Sequence, residues 1–79
     1  MQGLKSTVEY IVRELVDTPD EVNVTEIPGD DATTYEVRVA ADDLGKVIGK
    51  QGRIANALRT IVKAVAMKEK KKVYVEIVA

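Results

Sequence analysis

The chain has 79 residues, 46% of them apolar and 32% charged, and a net charge of −1. That length supports one small core, and the balance is that of a soluble globular domain rather than a disordered tail. Cysteine and histidine are both absent, which excludes disulfides, thiolate metal sites and the commonest general base and transition-metal ligand.

Met1 to Lys5 lacks the apolar core of a signal peptide, and no apolar run approaches the roughly 20 residues of a membrane span. A cytoplasmic protein without membrane insertion is therefore expected. From Leu4 to Val16 the apolar residues Leu4, Val8, Ile11, Val12, Leu15 and Val16 fall on one helical face, with Glu9, Arg13 and Glu14 turned to water. Asp17-Thr18-Pro19-Asp20 ends the helix, since a residue before proline disfavours helical torsions. Residues 21–27 read as a strand from the alternation in Val22-Asn23-Val24-Thr25, and Pro28-Gly29-Asp30-Asp31 as a turn. Tyr35, Val37 and Val39 line one face of a second strand, opposite Glu36 and Arg38.

Asp42 or Asp43 is placed to N-cap a short helix, Leu44 to Ile48. A glycine-bracketed basic turn, Gly49-Lys50-Gln51-Gly52-Arg53, interrupts it. A longer helix follows to Ala66, with Ile54, Leu58, Ile61 and Val65 predicted as its core stripe, Ala55 and Val62 beside them, and Arg53, Asn56, Arg59 and Lys63 on other faces. After Lys68 to Lys72, the residues Val73, Val75 and Ile77 alternate with Tyr74 and Glu76 as a final strand. The predicted order is α-β-β-α-α-β, an α+β fold of helices on a sheet.

Charge is distributed unevenly along this order. Residues 1–43 carry three basic and eleven acidic side chains, a balance of −8, and residues 44–79 carry nine basic and two acidic, a balance of +7. The positive half contains the glycine turn, and the local field decides where a polyanion docks. Glycine lets a ligand backbone approach closely, and Gly52 precedes a helix N-terminus, where free amides favour anions. The turn therefore points to phosphate. Neither nucleotide loop fits its spacing. A dinucleotide fingerprint requires glycine at Val47, and a phosphate-binding P-loop requires glycine at Leu44 and serine or threonine at Gln51.

The remaining pattern is the G-x-x-G loop of KH domains, which clamps the backbone of about four nucleotides. Residues 44–58 resemble that family, and the element order resembles its type II version. Asp43-Leu44-Gly45-Lys46-Val47-Ile48-Gly49-Lys50-Gln51-Gly52-Arg53, followed by Ala57-Leu58-Arg59, is similar to the small bacterial single-KH RNA-binding proteins of the KhpA family, a resemblance that covers essentially the whole chain. It implies a type II KH domain over residues 1–79, with a three-stranded mixed sheet covered on one face by helices. It further implies cytoplasmic single-stranded RNA binding and a role as RNA chaperone or post-transcriptional regulator. That role would be linked to cell elongation, cell shape and cell-wall or envelope homeostasis, acting as a homodimer or with a larger KhpB-like partner. One departure is Ala55, where the KH pattern often has a large aliphatic.

By this resemblance, the RNA contacts are expected at Lys46, Val47, Ile48, Gly49, Lys50, Gln51, Gly52, Arg53, Asn56 and Arg38. Lys50 and Gln51 would meet phosphates, Arg53 would stand at the helix start and Ile48 would offer an apolar floor to bases. The strand of Val37 and Val39 and the turn Pro28–Thr33 would form the opposite wall. Plainer roles stand beside these. The glycines also suit a helix–helix connection, Lys68 to Lys72 a solvated helix end, Arg59 and Lys63 the solvent face, and Arg38 a pair with a neighbouring carboxylate. No phenylalanine or tryptophan is present, and Tyr10, Tyr35 and Tyr74 are scattered, which disfavours a reader built on aromatic stacking. No catalytic arrangement, metal or cofactor is expected. The alternative function is a dimerisation or scaffold module in which RNA contact is incidental.

Overall fold

The computed structural model describes residues 3–79. Helix α1 (Leu4–Leu15) buries Leu4, Val8 and Val12 at a spacing of one helical turn, and Ile11 and Val16 pack beside them. The chain leaves the helix at Val16 with extended torsions, and Pro19–Glu21 form a single 3-10 turn. Strand β1 therefore spans Asn23–Pro28, starting later than residue 21. It pairs antiparallel with β2 (Thr33–Arg38), bringing Val24 opposite Val37. Gly29 N–H donates to the Ala32 carbonyl at 2.9 Å and closes the hairpin. Pro28, which has no N–H to give, is tolerated because β1 is an edge strand.

A 3-10 turn at Ala41–Asp43 leads into α2 (Leu44–Ile48), and another at Lys50–Gly52 into α3 (Arg53–Lys68). Strand β3 (Val73–Val78) then returns parallel to β2. The sheet order is β1-β2-β3, so the sheet is mixed and both β1 and β3 are edges. This is the α+β architecture expected from the sequence, with the helices on one face.

The core lies between that face and the helices. It is mostly valine: Val8, Val12, Val37, Val47 and Val62 are almost fully buried, with Leu58 and Tyr35 among them. Each such side chain contributes about 1.5–3 kcal/mol when removed from water. The Tyr35 hydroxyl donates to Glu26 Oε2 at 3.0 Å. Burial first, and the Glu26 carboxylate second, push its pKa up to about 12.

Two expectations fail in the packing. The face that α3 buries is Ala55, Leu58, Val62 and Ala66, whereas Ile54 and Ile61 stay 37% and 49% exposed. The apolar arc of this helix is wider than one face, so periodicity alone does not choose its buried sector. The small side chains of Ala55 and Ala66 let the helix settle close to the layer beneath, and the isoleucines rotate to the flank. Asp43 does not cap α2 with its side chain. Its carboxylate is 2% exposed and accepts from the backbone N–H groups of Asp17 (3.3 Å) and Thr18 (2.9 Å), tying the α1–β1 connection to the start of α2.

Candidate nucleic-acid interface

The glycine turn is built by three residues with positive φ. Gly49 has φ 75° and ψ 175°, a region essentially closed to other residues. A Cβ there would also meet Ile54 Cγ1 at 2.6 Å. Gly49 is thus required twice, by torsion and by the isoleucine packed against it. Gln51 is left-handed at φ 57° and ψ 27°, and Gly52 at φ 73° and ψ 14°. At Gly52 a Cβ would find only Asn56 Nδ2, at 4.0 Å, so torsion alone selects glycine there.

This geometry projects Lys50 and Gln51 into solvent and turns the chain abruptly into α3. Gly49 N–H is satisfied by the Gly45 carbonyl at 2.8 Å and Gly52 N–H by Gly49 at 3.2 Å. No side chain caps α3 and its first turn holds no acidic residue. The Arg53 N–H is taken by the Lys50 carbonyl, so the first-turn donors left without a side-chain cap are those that follow it, at the positive end of the dipole of a 16-residue helix. Exposed Lys50 and Arg53 flank them. Chemically this is an anion cradle with backbone donors at its centre and cations at its rim.

The other expected residues are placed unequally. Ile48 is partly exposed beside the loop. Asn56 stands one turn below Gly52, its Oδ1 accepting from Arg59 Nη1 at 3.3 Å. Lys46 is paired with Asp17 at 3.2 Å between two exposed side chains, an arrangement that water screens. The Val47 side chain is completely buried and offers no surface to a ligand, because its position on α2 faces the core. Arg38 is not brought to the loop. Strand alternation puts it on the sheet face away from the helices, where it bonds the Ala79 carbonyl and Glu36. Ala55 is 2% exposed, so its small size serves core packing and does not shape a groove floor.

The sheet contributes to this region through β3. β2 is the central strand, and the Pro28–Thr33 turn meets the Lys70–Lys72 connection that follows α3. The strand beside α3 is β3. Arg59 joins them, its Nε donating to the Val75 carbonyl at 3.3 Å while Nη1 reaches Asn56. Sequence spacing put Arg59 on the solvent side, and only the sheet order reveals what lies next to it. Among the described residues, no group of acidic side chains is arranged to hold a metal ion, and no helix is long and apolar enough to cross a membrane.

Comparison with known proteins places these features in a family. Residues 5–77 match the KH-domain model of KhpA and KhpB. The RNA-binding protein KhpA of Clostridium acetobutylicum is 55% identical over 75 residues, covering 95% of this chain and 100% of that protein. KhpA of Caldanaerobacter subterraneus subsp. tengcongensis is 59% identical over 71 residues, with 90% and 95% covered. KhpA of Aquifex aeolicus is 54% identical over 77 residues, with 98% of each covered. Among solved structures, a point variant of Aquifex aeolicus Era bound to GDP·AlF4− superposes with a TM-score of 0.57 at 20% identity, over 98% of this chain and 31% of that one. Era in complex with MgGDPNP and nucleotides 1506–1542 of 16S ribosomal RNA gives 0.58 at 22%, over 96% and 30%. The chain spans about a third of those Era chains, and the likeness to them is one of fold. The chain belongs to the KhpA/KhpB KH-domain family.

Proposed function

We propose that this member of the KhpA/KhpB family is a single KH unit over residues 1–79 that grips single-stranded RNA through the Gly49–Gly52 loop and the start of α3. The observation that carries this reading is the uncapped α3 N-terminus, framed by Lys50 and Arg53 and reached through a turn that only Gly49 fits. The first-turn amides without a side-chain cap, Lys50, Gln51 and Arg53 would hold consecutive phosphates. Ile48 would pack on a base, and Asn56 would read the base or sugar next to the loop. Lys46 would contribute after leaving Asp17, and Val47 only by fixing α2 in place. The curated relatives are named RNA-binding proteins, which supports RNA as the ligand. In this reading the protein works in the cytoplasm without catalysis. It acts as an RNA chaperone or post-transcriptional regulator with a larger KhpB-like partner, in cell elongation and envelope homeostasis.

One domain clamps about four nucleotides, so a second copy or partner would raise affinity by avidity. A self-association reading is favoured by the exposed flank of α3, where Ile61 and Ile54 lie on one side.

The test of RNA binding is Lys50→Asp combined with Gln51→Asp, both at exposed positions, the second in a left-handed conformation that aspartate tolerates. Affinity for an oligouridine should fall by more than about ten-fold with unchanged folding, and wild-type affinity should weaken with salt at a slope of about −0.7 per phosphate contact. Unchanged affinity in the double variant would leave the scaffold reading.

A further inference from the structure

The end of α3 remote from the glycine loop carries a second feature that the proposed clamp does not use. Lys63 on α3 and Lys72 in the connection to β3 both converge on Tyr74, with their Nζ atoms 6.0 and 5.9 Å from the ring centroid. The ring is 46% exposed. Beside it, Met67 and Val73 line a hollow of about 280 Å³ shared with the same lysines and Lys71, several times the roughly 30 Å³ share of one water. Lys71 has Glu69 as its ion-pair partner at 3.4 Å, but neither Lys63 nor Lys72 has one among the described residues. Two cations thus share the approach to one exposed aromatic ring, at the margin of an apolar recess.

The location gives this cluster its meaning. Asn56, Arg59, Lys63 and Met67 follow one another at three- and four-residue steps, which places them along one side of α3. Arg59 fixes that side against β3 through the Val75 carbonyl. A track therefore runs from Gly52 along the α3–β3 seam to Tyr74. At a rise of roughly 1.5 Å per residue, Lys63 lies about 16 Å and Met67 about 22 Å beyond Gly52. The α3 side chains on the track are basic, polar or sulfur-bearing; the acidic groups bordering it are Glu76, two residues beyond Tyr74 on the same sheet face, and Asp30 and Asp31 in the turn beside Lys72.

Resting on the RNA-binding reading above, we infer that Tyr74, Lys63 and Lys72 form a second nucleotide contact at the far end of the same strand. A base stacks on the Tyr74 ring against Met67, and the two lysines leave the ring for the flanking phosphates. One aromatic face suffices for one base of any identity. This contact therefore adds affinity and site length while adding no sequence preference.

Fluorescence anisotropy with a ten-residue oligouridine tests it on the wild type, Tyr74→Leu, Tyr74→Phe, the Lys63→Ala/Lys72→Ala pair and the Lys50→Asp/Gln51→Asp pair. Tyr74→Leu should weaken binding about ten-fold, while Tyr74→Phe, which keeps the ring, should stay near wild type. The two lysine changes should flatten the salt slope by about 0.7 each. Photocrosslinking of wild-type protein to a 4-thiouridine oligomer, read by mass spectrometry, should give an adduct at Tyr74 and does not depend on any variant folding. Wild-type affinity in Tyr74→Leu, or adducts confined to residues 49–53, would overturn the inference. If that happens while Lys50→Asp/Gln51→Asp still abolishes binding, only the second contact falls. If the aspartate pair binds as the wild type does, the clamp itself falls, and this contact with it.

Discussion

The two ends of α3 are finished in opposite ways. At the C-terminus, Lys70 takes a left-handed conformation at φ 57°. The Lys71 and Lys70 N–H groups return to the carbonyls of Ala66 (2.9 Å) and Met67 (3.0 Å), the bond pair of a Schellman termination. Lys68 in the last turn complements the dipole. At the N-terminus the Gly52 and Arg53 amides meet only the Gly49 and Lys50 carbonyls, no side chain caps the turn, no carboxylate lies in it, and Arg53 sits where a cation opposes the dipole. One end is arranged for stability, and the other gives up stability to keep its donors free. A helix terminus with no side-chain cap and no first-turn carboxylate has an external acceptor as its physical complement.

The largest expected effect probes the turn itself. Gly49→Ala should cost about 3 kcal/mol or more in urea denaturation, because torsion and the Ile54 contact both oppose the methyl. Gly52→Ala, with torsion alone against it, should cost about 1–2 kcal/mol. Equal losses would remove the distinction between the two glycines. Tyr35 offers the next measure, since it is sensitive to Glu69 at the closed end of α3 as well as to Glu26. Its folded pKa of about 12 lies above the unfolded value near 10. Its contribution is therefore complete below pH 10 and is lost as pH rises towards 12, by about 2–3 kcal/mol. Tyr35→Phe should remove that part of the alkaline decline, seen by comparing unfolding free energies of the two proteins from about pH 9 to 12. At the closed end, Lys70→Gly should gain about 1 kcal/mol by relieving a left-handed lysine. The smallest effect sharpens the contrast most. Arg53→Glu should stabilise the fold by about 0.5 kcal/mol and Lys68→Glu should destabilise it by about as much, and Arg53→Glu should also weaken RNA binding. Matching signs for the two charge reversals would show that the ends are not opposed.

Much of this molecule was legible in its sequence, because the signals involved were local. The Leu4, Val8, Val12 spacing, the β-branched alternation and the Gly49–Gly52 turn each determine a short stretch without reference to the rest. Where the outcome depends on the layer beneath, the sequence was ambiguous. Ile54 and Ile61 fit a core stripe as well as Ala55 and Val62 do, and contact with the sheet decides between them. Asp43 reads as a cap because its partners at Asp17 and Thr18 are 26 and 25 residues away. The strand that neighbours α3 was hidden for the same reason. Chain order puts β2 just before α2, but the parallel pairing of β3 outside β2 decides which strand faces α3.

The Arg59 bond has a consequence for how the molecule coexists with copies of itself. Lys72 and Val78 turn their carbonyls towards Thr33 and Val39, on and beside β2. By alternation, the Val75 carbonyl points out of the sheet, midway along an unpaired margin. Such a row of free acceptors recruits further strands and seeds fibres. Arg59 places a guanidinium over the middle of that row, so an incoming strand would have to displace it before pairing. The side chain that braces a helix is therefore also a guard against runaway sheet growth.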